Sequence, residues 1–419
     1  MKQIEKAIII GGGPAGIAAA LRLQQKNRIS CTIYEVRDKP TTLGGAIGIP
    51  SNGLRLLSRL NLYNEVVAKG AQTSNLNVRS SEGKLMGNMS LDAWSKQQTG
   101  FGYFRIRRTD LMDILLDAAS KANIPIHFGK RITKIEETDY TVTASFSDGS
   151  QEDADFVIGA DGIHSSVRKI YVDPECMPVY SGIANVFSLL STSELSKSPP
   201  EIEGLNATLT ANGMFGLSPA NPTHDLLYWF FSREVDIPIN TDRDGWEERG
   251  KKELEEGKAN MLGLLGDDQC EWLEFLRDVI DKTDAFKFYP IYKVPTGRPW
   301  HKGRVLIIGD AAHAMPPHAS QGVSMALEDV FLLSNLLHSG RFSVEDSLRI
   351  YEEKRRPRTE SMLHTAEKNG DIRKEKGPWE LWANGFAITA GLWFYKTAGL
   401  QRLGLGQKPL AYDVEDETW

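Results

Sequence analysis

The stretch KAIIIGGGPAGIAAALRLQQKNRISCTIYEV, residues 6–36, constrains the fold of this chain more than any other. A short apolar run of β character ends on Gly11, and Gly11, Gly13 and Gly16 stand at G-x-G-x-x-G spacing. Pro14 and Ala15 then open a helical pattern, and a second β run, CTIYEV, carries Glu35 near its end. Strand, glycine turn, helix, strand and acid together open a βαβ unit, which commits the chain to a parallel sheet. In such a unit Gly11 permits the tight turn and Gly13 lets the backbone approach a pyrophosphate. Gly16 lets helix and strand pack closely, while the helix N-terminus presents free N–H groups and its positive dipole end to the anion. Glu35 is placed to accept hydrogen bonds from a ribose diol. That fits an adenosine with a free 2′-hydroxyl, as in NAD or FAD, and the loop alone leaves those two open.

A second constraint lies in VLIIGDAAHAMPPHASQGVSMALEDV, residues 305–330. Here a buried strand pattern ends at Gly309 and Asp310, two prolines follow, and a helix pattern begins near Gly322. An Asp closing a strand of a parallel sheet sits at the carboxyl edge, where ligands bind. A third strand–turn–helix pattern, DFVIGADGIHSSVRK, surrounds Asp161 and Gly162.

Between these motifs the pattern changes. Residues 75–80 and 84–89 alternate as strands do, and RIRRTDLMDILLDAASKANI from Arg105 reads as a helix with Leu111, Leu115 and Ala118 on one face. Residues 126–150 read as a β-meander with a turn at Asp148 and Gly149. Residues 181–291 read mostly as short strands with one charged helical insertion, WEERGKKELEEGKANMLGLL. The predicted class is therefore α/β: a Rossmann-like dinucleotide-binding domain built discontinuously from residues 1–73, 101–180 and 295–370. A β-rich substrate domain, residues 74–100 and 181–294, is interleaved with it, and residues 371–419 form a C-terminal helical segment.

Composition excludes several classes. A formal net charge of −6 with no long run of Lys or Arg gives no phosphate-gripping surface, so no nucleic-acid partner is expected. Cys31, Cys176 and Cys270 form neither a CxxC pair nor a zinc set, and they fit a reducing, cytoplasmic setting. No signal peptide is visible before the first strand. The longest apolar stretch, LWANGFAITAGLWFY at 381–395, is shorter than the ~20 residues of a membrane span. It is expected to pack on the main body, with interfacial membrane contact as the lesser alternative. His313 and His318 are five apart, unsuited to one helical face, and no third ligand follows, so no metal is expected.

Several motifs occur in a fixed order along most of the chain: GGGPAG with Glu35, IGADGIHSSVR at 158–168, IIGDAAHAMPPHASQG at 307–322, YEEKRRPR at 351–358 and LAYDV at 410–414. In this the chain resembles the single-component FAD-dependent monooxygenases that hydroxylate aromatic substrates, such as p-hydroxybenzoate and salicylate hydroxylases. The resemblance implies FAD as cofactor, NADH or NADPH as transient co-substrate, and transfer of one oxygen atom of O2, the other leaving as water, to an aromatic or polycyclic substrate through a C4a-hydroperoxyflavin. It implies that Gly309 and Asp310 bind the ribityl chain, and that Gln321, Gly322 and Val323 face the flavin pyrimidine edge. Ala46 and Ile47, in the loop GGAIGIPSNG, would run beside the isoalloxazine. Arg37 would join the adenosine site, and Arg108, or Arg107 one register away, would contact FAD.

Asp161 and Gly162 belong to the family's DG motif, associated with the pyrophosphates of FAD and NAD(P)H. Arg168 would serve phosphate or cap a local carboxylate. Pro316 and Pro317 would wall the ring, with the Pro317 backbone carbonyl facing the reacting substrate. Where the family often carries glycine before the Gln and an Asn near the helix start, this chain has Ser320 and Ser324; serine can still donate a hydrogen bond. Tyr103, His224 and Tyr228 fall in the expected substrate region. An epoxidase or a polycyclic natural-product hydroxylase would share every FAD motif. A flavin-binding sensor without turnover is the alternative from a different class.

Overall fold

Strand Lys6–Ile10 lies inside a six-stranded sheet, paired in parallel with Ser30–Tyr34 on one side and Phe156–Gly159 on the other. The order across the sheet is His301–Lys302, Val305–Ile307, Phe156–Gly159, Lys6–Ile10, Ser30–Tyr34 and Ile126–His127. The four central strands are almost wholly apolar because a parallel sheet is covered on both faces; Ile8, Ile9, Val157 and Leu306 expose no surface. Helices Pro14–Arg22, Arg108–Lys121 and Gly322–His338 share this core with the antiparallel sheet Ile132–Glu137, Val142–Phe146 and Gln151–Ala154. The computed structural model describes residues 4–40, 44–237, 243–265 and 270–418.

A second sheet has seven strands in the order Lys287–Lys293, Val179–Ser191, Leu226–Glu234, Gly213–Pro219, Leu205–Thr210, Asn75–Arg79 and Leu85–Ser90. The two early strands thus join a sheet whose other members begin only at Val179, far later in the chain. Side chains alternate between its faces. Val186, Leu190, Phe215, Leu217, Leu227, Trp229 and Phe231 point one way, into a core with Trp272, Leu273, Leu276 and Ile280. Trp229 is 2% exposed and donates its Nε1–H to Thr283 Oγ1 at 3.0 Å, satisfying the polar tip that such burial would otherwise strand.

Two sequence expectations need correction here, and a third is met only by a narrow contact. The helix expected from Arg105 begins at Arg108, because Phe104–Arg107 pairs as a strand with Ala46–Ile49; Leu111, Leu115 and the half-buried Ala118 all pack on the core, as expected. The region read mostly as strands contains a second helix, Glu271–Lys282, beside the charged one, Arg243–Leu264. The apolar stretch near 381–395 forms helix Pro378–Thr397, which rests on the strand Leu85–Ser90 by a narrow seam including Ile388 and Leu392. None of its residues is buried, and Trp379, Trp382, Phe386 and Trp393 face outward. No helix among the described residues is long and apolar enough to cross a membrane.

Beyond that outlying helix the chain returns to the first domain. Asp413 pairs with Arg55 and Arg59, Glu415 with Arg22 and Asn335, and the Gln407 side chain accepts from the Trp94 and Ser95 N–H groups.

Candidate active site

The glycine turn is built as its spacing requires. Gly11 has φ +114, and a Cβ there would lie 2.3 Å from the Ala160 carbonyl oxygen; a Cβ on Gly16 would lie 2.0 Å from the Gly11 carbonyl oxygen. Gly13 is different: a Cβ there meets no atom within 4 Å. The first two glycines therefore serve backbone packing, whereas Gly13 opens onto free space beside the N-terminus of helix Pro14–Arg22, with Ala15 in its first turn. Glu35 closes the loop, accepting from Gly12 N–H at 2.7 Å and from Arg37 N–H at 3.0 Å.

Gly309, at φ +57, lies where helices Pro14–Arg22 and Gly322–His338 approach, with Ala15 and Ala326 Cβ atoms each 3.3 Å from the position of a Cβ. The next residue, Asp310, is open to water yet hemmed by protein. Burial raises its pKa, opposed by the charges of His313 and Arg108. Gly322 is the first residue of its helix, exposed, with no atom near a Cβ position. Its N–H, with those of Val323 and Ser324, makes a second free helix N-terminus. Nearby, Gln321 Nε2 and Ser324 Oγ are buried without a partner. Buried donors left this way are rare unless a ligand or water meets them.

A buried ionic network fixes this corner. Asn52 Nδ2 donates to Gln321 Oε1 at 3.0 Å and to Glu328 Oε1 at 2.8 Å. Arg355 joins Glu328 and Asp329, both at 2.8 Å, and Asp329 in turn accepts from the Gly309 N–H and His313 Nε2. Burial raises the Asp329 pKa, but the charges of His313 and Arg355 outweigh it and hold the carboxylate below its ordinary range. YEEKRRPR, read from sequence as a pocket-supporting helix, supplies Arg355 and Arg358 to this network. Sequence reasoning missed Asn52, Glu328 and Asp329, which lie within the quoted stretches but are paired with one another and with Arg355 only by the fold.

The other predicted residues fall as follows. Arg107 is paired with Asp110 at 2.6 and 2.7 Å, whereas Arg108 is exposed and its N–H donates to the Gly45 carbonyl at 2.9 Å. Asp161 Oδ2 accepts from the Ser166 and Val167 N–H groups, so it holds the turn in which Gly162 takes φ +78. Arg168 is 2% exposed and donates to the Ala311 and Ile163 carbonyls, so it caps backbone. Pro317 is exposed and opens a single tight turn, its carbonyl accepting from Ser320 N–H at 3.2 Å. His224 lies in an exposed turn, and Tyr103 is buried behind Gly48, whose Cβ would meet its hydroxyl.

Strand Ala46–Ile49 carries Ala46 and Ile47 past the second sheet. A Cβ on the preceding Gly45 would lie 2.9 Å from Phe187 and 3.5 Å from Tyr228. These two rings belong to the sheet face opposite Trp229, which also presents Phe230, Tyr289, Asn185, Ser218 and Ser232 by strict alternation. Burial raises the Tyr228 and Tyr289 pKa values, with the Arg108 charge opposing in both cases. Arg105, 5% exposed and unremarked in the sequence, points its guanidinium at the Tyr228 ring, 5.7 Å from the centroid. Gly309 and Asp310 thus lie by two helix N-termini, and Arg108, whose charge reaches Asp310, is joined through Gly45 to the aromatic sheet face.

Comparison with known proteins agrees with this geometry. The chain is 25% identical over 390 residues to 6-hydroxynicotinate 3-monooxygenase of Pseudomonas fluorescens, covering 93% of this chain and 96% of that protein. It is 29% identical to 3-amino-4-hydroxybenzoate 2-monooxygenase PtnB3 of Streptomyces platensis, covering 86% and 87%. The crystal structure of Klebsiella pneumoniae HpxO complexed with FAD and uric acid superposes with a TM-score of 0.80 at 24% identity, covering 97% of each chain, and so shares the fold. The profile of the FAD binding domain family matches residues 5–366, and the chain belongs to that family.

Proposed function

We propose that the protein is an FAD-dependent monooxygenase that uses NADH or NADPH and O2 to hydroxylate an aromatic or related electron-rich small molecule. The observation that carries this reading is the contact of Gly45 with Phe187 and Tyr228. It sets the strand beside the dinucleotide groove directly against an aromatic sheet face, so a flat substrate on that face is next to whatever the groove holds. The relatives named above act on aromatic acids and their hydroxylated derivatives, in line with that face.

The residues present fit FAD. In this reading Gly11, Gly13, Pro14, Ala15, Gly16 and Glu35, flanked by Arg37, take the adenosine and pyrophosphate, with free N–H groups at the helix start and a carboxylate for the ribose. Gly309 and Asp310 meet the ribityl chain, and Asp161 and Gly162 shape the neighbouring turn. Ala46, Ile47, Arg108, Gln321, Gly322 and Val323 would hold the flavin ring. When bound, FAD supplies the two-electron redox chemistry and the activation of oxygen.

The protein's own contribution is placement. The helix N-terminus at Gly322 stabilises negative charge at its mouth. Phe187, Tyr228 and Phe230 orient a ring and exclude water, which protects reactive oxygen species from wasteful decay. The Pro317 carbonyl is the acceptor offered to a substrate hydroxyl.

The test is transient reduction of the flavin by NADH and NADPH, with and without a panel of phenols and hydroxylated aromatic acids. An effective ligand should accelerate reduction at least about tenfold, a barrier change near 1.4 kcal/mol. Fast reduction indifferent to every ligand, with all oxygen recovered as hydrogen peroxide, would make the protein an oxidase.

A further inference from the structure

Helix Pro378–Thr397 meets the rest of the protein along one seam. Ile388 and Leu392 join a small cluster with Val78, Leu209 and Met214, and a Cβ on Gly87 would lie 2.9 Å from Leu392. At the helical repeat, a different side gathers Trp379, Trp382, Phe386 and Trp393 into one stripe. Trp379 exposes 84% of its surface, and the other three about two-thirds each. The rings form a continuous surface. Trp379 and Trp382 meet edge to face with centroids 6.4 Å apart, and Trp382 stacks on Phe386 at 6.1 Å. Beyond the helix, Leu403 and Leu405 are exposed as well, in a turn tied back by the Tyr395 hydroxyl, which donates to the Leu405 carbonyl at 3.2 Å.

The four aromatic side chains leave roughly 550 Å² of ring surface uncovered. That is near the upper end of what a soluble monomer exposes in one patch, and patches of this size mark interaction surfaces. Charge indicates the occupant. The chain carries a formal net charge of −6, yet residues 374–408 hold five basic and two acidic side chains. Lys374 and Lys376 precede the helix, Lys396 is in its last turn, and Arg402 and Lys408 follow it. Lys374 is paired with Asp371 at 2.7 Å. Lys396, Arg402 and Lys408 are exposed, and no carboxylate among the described residues lies within ion-pair distance of them. Glu380, the only acid of the helix, lies off the aromatic stripe.

We infer that this helix docks the protein on an anionic phospholipid surface. It lies along the interface, with the stripe at the acyl boundary and the flanking Lys and Arg side chains among the phosphates. Crossing is not open to it, since no helix among the described residues is long and apolar enough. Indole suits the interfacial depth because its ring is apolar while its N–H still reaches headgroups or water. No protein acceptor among the described residues meets the Nε1–H of Trp379, Trp382 or Trp393. A second copy of the chain fits less well. Stripe against stripe would bury those N–H groups among rings that offer no strong acceptor, and desolvating an unpaired donor is unfavourable. The stripe also falls short of the ~800 Å² per partner of a stable interface.

The experiment is flotation of the full-length, FAD-loaded protein with vesicles of phosphatidylglycerol and phosphatidylcholine in equal parts, and of phosphatidylcholine alone. The protein should float with the mixed vesicles, and at least about tenfold less with phosphatidylcholine alone or at high salt. Trp382→Gln combined with Trp393→Gln should weaken binding at least about tenfold. Lys396→Gln and Arg402→Gln should weaken it about fivefold each. All these side chains are exposed, so flavin content and melting temperature should stay at wild-type values. Bromine-labelled lipids should quench tryptophan fluorescence of the wild type and leave the double tryptophan variant less quenched. Absence of flotation, equal flotation with both vesicles, or full binding by the folded tryptophan variant would overturn the inference. So would a wild-type dimer in sedimentation that the tryptophan substitutions disperse, with no vesicle binding, because the occupant would then be a second copy.

Discussion

Arg355 Nε and Asp329 Oδ1 meet at 2.8 Å, and neither side chain exposes any surface. Through Asp329 the pair reaches the Gly309 N–H, immediately before Asp310, so Arg355, 26 residues beyond Asp329 and on another helix, helps to fix that turn.

Removing one partner should therefore be more damaging than its distance from the groove suggests. Arg355→Met leaves buried Asp329 without its guanidinium and Glu328 with Arg358 alone, and should lower unfolding stability by ~3–5 kcal/mol. Urea denaturation of the apo-protein measures this. A loss within about 0.5 kcal/mol, the range of surface substitutions, would show that the network does not hold this corner.

The same pair sets an acid limit. The Asp329 pKa is held below its ordinary value in the fold, so its stabilising contribution is fully present above the unfolded-state value of about 3.9. It is lost as pH falls through the lower folded value. Stability of the wild type should thus fall as pH drops below ~4, and Asp329→Asn should flatten that part of the profile while lowering stability at pH 7. Parallel profiles for the two proteins would contradict the assignment.

Two glycines of the first loop should separate folding from binding. Gly16→Ala places a methyl 2.0 Å from a carbonyl oxygen and should prevent accumulation of folded protein. Gly13→Ala meets nothing within 4 Å, so it should fold normally and lose FAD. Expression, circular dichroism and flavin content of both variants decide the matter, and normal FAD content in Gly13→Ala would remove that glycine from the pyrophosphate site.

Asp310 and Asp161 should also behave differently. Asp310→Ala removes an acceptor open to the groove and should weaken FAD about tenfold, the value of one good hydrogen bond. Asp161→Ala removes the cap on Ser166 and Val167 and should cost about 1 kcal/mol of stability with a smaller effect on FAD. Equal FAD occupancy in both variants would sink the distinction.

The sequence was most informative where chemistry demands a local pattern. The glycine spacing needs backbone approach within a few residues, so Gly11, Gly13 and Gly16 were legible, as were the strands around them. Helix Glu271–Lys282 was overlooked although Trp272, Leu273, Leu276, Val279 and Ile280 recur at helical spacing, because the apolar runs of strand character around it dominated the reading of that region. The choice between Arg107 and Arg108 depended on a one-residue strand-to-helix boundary that periodicity cannot fix. Asn185 and Ser232 are brought to one face by sheet register, and no short window contains both halves of such a pairing.

Residues 407–415 clasp Arg22, Arg55, Arg59 and Ser95, whereas helix Pro378–Thr397 before them buries no residue. The aromatic helix is thus a bracketed excursion, flanked on both sides by segments that belong to the main body. Protein engineering meets an asymmetry here. Excising the excursion and bridging its ends would leave every clasp in place, but stopping the chain before residue 407 would discard the clasps and keep the sticky helix. Shortening the tail and trimming the exposed aromatics, similar on paper, are opposite operations on this molecule.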